Sequence, residues 1–286
     1  LSNFKEGHKV LGVTPEEIGK IAIERGIPTI ISYFGREVVK SILAENGHAK
    51  VITATNVFAH INDINEIVSC ILELLDTDGV FITECHYLGS LVETLQYDTI
   101  YHEHLLYYSL HSLQYLLEQH GLEIFHAKQI PTHGGSIRAY VSRKGKFQIK
   151  PSDLEGKGLS DLKNRMVISK LELHSMLLEF KKQGKRIFGI GAPSRASTLL
   201  NYVGIDDGTL DYVVEIKGSH KIGKYVPGTL IPVVDESKLY EEQPEYALLL
   251  SWHIADELAP KLFKLGYKGD FVVPLPTPRI IKNPCK

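Results

Sequence analysis

The sequence predicts an α/β protein made of two Rossmann-like domains, and three observations carry that prediction. Short apolar runs alternate with amphipathic helical patterns through the first half, the alternation restarts near residue 185, and a charged helical stretch lies between. Length agrees: 286 residues at about 150 per domain make two. The expected division is 1–150, a helical connector over 151–184, and a C-terminal domain over 185–286.

The elements follow in order. KVLGV (9–13) reads as a buried strand, and TPEEIGKIAIERG as a helix capped by Thr14, with Pro15 in its first turn and Gly26 closing it. REVVKSILAENG is a second helix and AKVITATNVF a second strand. INEIVSCILELLDTDG reads as a helix ending at Gly79, before the strand VFITECHY. The alternation implies a parallel sheet covered on both faces. Residues 89–109 break the rhythm. HSLQYLLEQHG is again helical, and LEIFHAKQI and GGSIRAYVSRKG are strands joined by PTHGG, an antiparallel pair closing the sheet. Leu159, Leu162, Met166, Leu173, Met176, Leu177 and Phe180 recur at helical spacing in the connector. Beyond it, KRIFGIG is a strand and turn, APSRASTLLNYVG a helix, LDYVVEI and EYALLLSW strands, IADELAPKLFKLGYKG a helix, and FVVPLP the last strand.

Composition narrows the function. Lys and Arg number 32 against 34 Asp and Glu, a net charge of −2, which removes the usual footprint of a nucleic-acid binder. Cys70, Cys85 and Cys285 form no CxxC pair, so neither a zinc site nor a disulfide scaffold is expected. No apolar run approaches the ~18 residues of a membrane span, and LSNFKEGHKV has no export signature. The expectation is a cytoplasmic protein with a small-molecule partner and no metal.

Two stretches offer chemistry. Strand RIFGI runs into Gly191-Ala192-Pro193-Ser194-Arg195 and a helix, so backbone N–H groups and a helix N-terminus converge where an anion can sit. Ser194 replaces the third glycine of the dinucleotide fingerprint; Arg195 adds a fork suited to phosphate, and Glu215 stands where a ribose-binding acid would. A plain tight turn with a solvated Arg is the competing reading. Tyr101, His102, Glu103 and His104 place a phenol, a carboxylate and two imidazoles within four residues, which offers a general base and oxyanion donors. The alternative is that Tyr and His decorate an exposed loop or line a core edge. His60 and Asn56 stand at the carboxyl end of a parallel strand, where ligands bind in open α/β sheets; a structural imidazole is the competing reading. Thr132-His133-Gly134-Gly135-Ser136 reads as a hairpin turn with an added substrate contact.

Together KVLGVTP, ITATNVFAHIND, YDTIYHEHLLYYSL, PTHGGSIRAYV, GIGAPSRASTLLNYVGI and GKYVPGTLIPV resemble the sugar C-methyltransferases, enzymes dependent on S-adenosylmethionine. The resemblance implies a class I methyltransferase domain followed by a Rossmann-like domain that binds the nucleotide of a nucleoside-diphosphate ketosugar. It places the base on His104, with Tyr101, Glu103 and His60 lining the ketosugar and Asn56 in the same site. His133 joins the substrate contacts. Gly191, Ala192, Pro193, Ser194, Arg195 and Glu215 would hold the nucleotide, with Lys221 or Tyr225 reaching in.

Two departures stand out. The acid that family members carry for the adenosine ribose is here Thr14, and the cysteine-rich zinc domain and Gly-rich cofactor loop that open the family are not among these 286 residues, so a fragment of a longer protein is expected, a degenerate relative being the alternative. The expectation is therefore a methyltransferase domain lacking its first strand, which binds S-adenosylmethionine weakly, zinc belonging to a missing N-terminal domain. An NAD-dependent sugar oxidoreductase using Glu215, and a non-catalytic nucleotide-sugar-binding relic, are the competing functions.

Overall fold

A computed structural model describes residues 1–149, 159 and 161–284. Residues 150–158 and 160, where the connector was expected to begin, and Cys285 lie outside the described residues. Contacts divide the chain into two compact units. Among the described residues, the first comprises 1–85, 110–129 and 137–149, and the second 86–109, 130–136 and 159 onward. This interleaving differs from a single boundary near 150. Its physical cause is packing: Leu95 and Tyr97, from the segment expected in the first domain, are buried in the core of the second unit.

The first unit begins with strand β1 (Gly12–Thr14), helix α1 (Ile18–Glu24) and strand β2 (Thr29–Ile31). β1 is shorter than the apolar run that predicted it. Thr14 ends β1 rather than capping α1: its carbonyl accepts the Ser32 N–H, which keeps its backbone extended, and its hydroxyl accepts from the Glu16 N–H. Helix α2 (Arg36–Asn46) and strand β3 (Ala49–Thr55) follow as expected. Helix α3 (Ile64–Leu74) is capped by the Asp63 carboxylate, which accepts from the Glu66 N–H at 3.1 Å. It buries Ile64, Val68, Ile71 and Leu74 at helical spacing.

Strand β4 (Leu75–His86) takes over at once, so the helix ends before Gly79, not at it. Gly79 lies inside the strand, where a Cβ would stand 2.9 Å from the Ala49 carbonyl. Close strand approach, and not a helix stop, accounts for that glycine. Helices α4 (Leu88–Glu93) and α5 (Leu110–Glu118) precede strands β5 (Leu122–Ile130) and β6 (Ser136–Arg143). The described strands of this half form two sheets instead of the single one expected: the parallel pair β1–β2, and a sheet of order β3-β4-β6-β5. Val39 and Ile42 of α2 pack with Cys70 and Leu74 of α3, and Val13, Ile30 and Ile52 lie against that cluster.

In the second unit, helix α6 (Leu162–Lys182) leads to strand β7 (Ile187–Ile190), helix α7 (Ser194–Val203) and strand β8 (Tyr212–Glu215). Strand β9 (Val233–Asp235), helix α8 (Ser237–Glu242), strand β10 (Tyr246–Leu249), helix α9 (Ala255–Lys264), and strands β11 (Asp270–Val273) and β12 (Arg279–Ile281) complete it. β9 and β12 were not expected; at three residues each they carry almost no periodicity. Sheet order is β9-β8-β7-β10-β11-β12, parallel except for β12. That is the doubly wound arrangement, and its order reverses between β7 and β10. Ala196, Leu199, Leu200 and Val203 turn one face of α7 onto the core.

Candidate functional site

The Tyr- and His-rich loop belongs to the second unit. A short 3-10 turn over Tyr97–Thr99 follows α4, and Tyr97 packs its ring 5.0 Å from that of Tyr202 in α7. From this footing the chain makes a further turn, in which the His104 N–H donates to the Tyr101 carbonyl at 3.0 Å. The imidazole of His104 is fixed at both nitrogens: Nδ1 lies 2.9 Å from the Thr99 carbonyl and Nε2 lies 3.2 Å from the Tyr101 hydroxyl. A carbonyl oxygen only accepts, so Nδ1 carries the hydrogen and Nε2 keeps its lone pair. The Tyr107 hydroxyl donates to the same Thr99 carbonyl at 3.1 Å. Burial, then the neighbouring Glu103 carboxylate, raises the Tyr101 phenol above its ordinary range, so it stays a protonated donor at neutral pH.

More imidazoles surround His104. His86, the last residue of β4, stands 5.2 Å from His104 and 5.7 Å from His133, ring centre to ring centre. Burial, with positive charge from His104, Arg195, His133 and His253, holds His86 down to about 3. His133 sits in the turn between β5 and β6 with φ of 55°, a left-handed conformation that a residue with a Cβ adopts at a cost. The next residue, Gly134 (φ 85°), lies so close to Gln96 that a Cβ would meet its side-chain oxygen at 2.8 Å, and the Gln96 amide donates to the Gly134 carbonyl. Glycine is required there for both reasons.

A buried ionic cluster lies in the same unit. Arg195, in the first turn of α7, donates from Nε and Nη2 to the two carboxylate oxygens of Asp98, each at 2.7 Å. The indole Nε1 of Trp252 donates to Asp98 at 2.8 Å, and the guanidinium stacks over that indole at 5.1 Å. Asp98 is fully buried and Arg195 nearly so. His253 Nδ1 stands 3.4 Å from Arg195 Nη1, and burial together with that guanidinium lowers His253 to about 4.

The glycine turn after β7 is engaged within the fold. The Gly191 N–H donates to the Val214 carbonyl, and the Ala192 N–H donates to the Glu215 carboxylate at 2.8 Å. Lys221 Nζ donates to the Ala192 carbonyl. Pro193 precedes the helix and Ser194, its first residue, is exposed. Arg195, expected as a phosphate donor, has its fork filled by the carboxylate of Asp98.

Residues 131–276 match the family described as C-methyltransferase C-terminal domain, and residues 5–127 match a methyltransferase domain. C-methyltransferase NovU of Streptomyces niveus is 32% identical over 96% of this chain and 69% of its own length. This chain belongs to the C-methyltransferase family. The enzyme class expected from the sequence is borne out at that level. Among solved structures, LepI in complex with SAM aligns with TM-score 0.38 and 13% identity over 48% of this chain and 36% of that one. A SAM-dependent methyltransferase from Anabaena variabilis aligns with TM-score 0.38 and 17% identity over 50% of this chain and 70% of that one.

In this C-methyltransferase the structure brings Tyr101, His104 and His133 together with His86, with Glu103 exposed beside them. Asn56, His60 and Thr14 belong to the first unit. Asn56 follows β3 with φ of 55° and donates its N–H to the Glu84 carbonyl, and His60 ends a 3-10 turn over Phe58–His60. Tyr225 is largely exposed, and Glu215 and Lys221 brace the glycine turn. His86, Asp98, Trp252 and His253 carry no expectation from the sequence. A signal existed for Trp252 and His253, which follow a parallel strand at its carboxyl end. Asp98 had none, since its partner lies 97 residues away. Among the described residues, no group of three or more His, Cys, Asp or Glu side chains is arranged to hold a metal.

Proposed function

We propose that this enzyme uses S-adenosylmethionine to methylate the carbon beside the ketone of a nucleoside-diphosphate 4-keto-deoxysugar. One observation carries the reading: the Thr99 carbonyl holds the hydrogen of His104 on Nδ1, which leaves Nε2 as a basic lone pair against the Tyr101 hydroxyl. The ketone makes its α-hydrogen acidic. His104 Nε2 removes that proton, the C–H electron pair passes into an enolate, and the Tyr101 hydroxyl donates to the enolate oxygen. When bound, S-adenosylmethionine would supply an electrophilic methyl to the enolate carbon, with S-adenosylhomocysteine as the leaving group. His104 then returns its proton to water.

Thr14 ends β1 and Asn56 follows β3, each at the carboxyl edge of a parallel strand, which supports them as contacts to the methyl donor. Thr14 meets this need in part, offering one hydroxyl where two ribose hydroxyls call for a carboxylate. His133 faces the ketosugar, and Ser194 and Tyr225 are proposed as contacts to the nucleotide. The deciding experiment is His104→Asn, followed with a thymidine-diphosphate 4-keto-6-deoxyhexose. Methyl transfer and α-proton exchange with deuterated water both fall by about 10²–10⁴ if one base serves both. Exchange at the wild-type rate with transfer lost would remove His104 as the base.

A further inference from the structure

We infer that Asp98, Arg195 and Trp252 form an anchor that positions the base: the turn after β7, built like a phosphate site, holds a carboxylate of the enzyme's own loop. Sheet order in the second unit reverses between β7 and β10, so the crevice beyond their carboxyl ends is the place where such folds hold ligands. That crevice is bordered by the Gly191–Pro193 turn on one side and by Ser251, Trp252 and His253 on the other. Gly191, with φ of 79°, lies so close to Ser251 that a Cβ would stand 3.1 Å from its hydroxyl. Asp98 enters here. Both of its oxygens accept from the Arg195 fork, one also accepts from Trp252, and the carboxylate is fully buried.

A diphosphate on Arg195 would have to displace this paired carboxylate. The N–H groups of Gly191 and Ala192 are already given to Val214 and Glu215. The turn thus has a partner for each of these donors inside the protein. What the anchor controls follows from the next residue along the chain. Thr99 adjoins Asp98, and its carbonyl takes the Nδ1 hydrogen of His104 and the hydroxyl of Tyr107. Fixing Asp98 fixes that carbonyl, and the carbonyl selects the tautomer of His104. Asp98 and Arg195 act through Thr99, so they are positioning residues.

The catalytic consequence rests on the proposed role of His104, whereas the tautomer does not, and the test reads both. Imidazole nitrogen NMR of the wild type, with His104 assigned by comparison with His104→Asn, shows hydrogen on Nδ1. In Asp98→Asn and in Arg195→Lys that signal moves to a mixture of tautomers. With the thymidine-diphosphate 4-keto-6-deoxyhexose, kcat for α-proton exchange falls about tenfold while KM stays within about twofold, and the double variant is no worse than either single one. Thymidine diphosphate binds all three variants within about twofold of wild type by calorimetry. If Asp98→Asn does not fold, Trp252→Phe removes only one donor and shows the tautomer mixture instead.

An unchanged tautomer in the folded variants overturns the anchor. So does an about tenfold loss of thymidine diphosphate affinity in Arg195→Lys alone, which would make Arg195 a phosphate ligand. If wild-type enzyme exchanges no α-proton, the proposed function fails, and the tautomer still decides the anchor.

Discussion

The two units use the same strand–helix–strand grammar and reach different degrees of closure. In the second, six strands share one sheet, and β7, β8, β10 and β11 bury most of their side chains beneath α7 and α9. In the first, the strands divide into a pair and a foursome. Apolar residues there stay exposed, among them Ile18, Ile21 and Ile23 of α1 and Val51 of β3. In the second unit the exposed apolar side chains lie on α6 and in loops, among them Ile168, Leu171, Ile216 and Leu230. The loop that carries Tyr101 and His104 packs with the second unit. A site that must hold two imidazole nitrogens to fixed partners gains from the stiffer support.

The strongest test of that contrast removes the anchor. Asp98→Ala leaves the Arg195 guanidinium buried without its carboxylate and should cost the second unit about 3–5 kcal/mol. Denaturant unfolding followed by the fluorescence of Trp252, the chain's only tryptophan, measures it. A loss below about 1 kcal/mol would place the pair with weak surface bridges. Next in size is Leu199→Ala, a fully buried side chain of α7. It should lower the same transition by about 2–5 kcal/mol and leave the first unit's unfolding unchanged.

Acid separates the units by sign and window. His86 and His253 are held near 3 and 4, against an ordinary 6.5. Between pH 6.5 and about 4 the unfolded chain therefore takes up protons that the folded second unit refuses, and stability falls as pH falls. In the first unit the lowered acid Asp76, near 2, contributes stability that is lost only below its ordinary 3.8. Thermal scans from pH 7 to 4.5 should lower the second transition more than the first, and equal slopes would break the comparison. The smallest effect belongs to Ile21→Ala on the exposed face of α1. It should stay within about 0.5 kcal/mol by chemical denaturation, and a larger cost would mean that this face is covered in solution.

Local pattern was enough for the elements whose cause is local. The apolar spacing of α3 and α7 and the strand VITAT are facts about neighbours within a few residues, and these elements stand where periodicity put them. Boundaries failed where a distant group intervened. Thr14 reads as a cap by itself, yet its carbonyl pairs with Ser32 and stays in a strand. Gly79 reads as a helix stop, yet it answers the closeness of Ala49 across the sheet.

The candidate site divides in the same way. Tyr101 and His104 were legible because they are three residues apart and their chemistry shows in their side chains. The tautomer of His104 depends on the Thr99 carbonyl, a backbone group that no residue type announces. The use of Arg195 depends on Asp98 and Trp252, one 97 residues before it and the other 57 after it in number. An arginine after a glycine turn is equally suited to a phosphate or a carboxylate, since both present paired oxygens to its fork. Sequence alone offered that fork an oxyanion, with a solvated guanidinium as the competing reading. Tertiary structure decided which one, because only packing brings a buried carboxylate within 2.7 Å and excludes the water that would otherwise screen it.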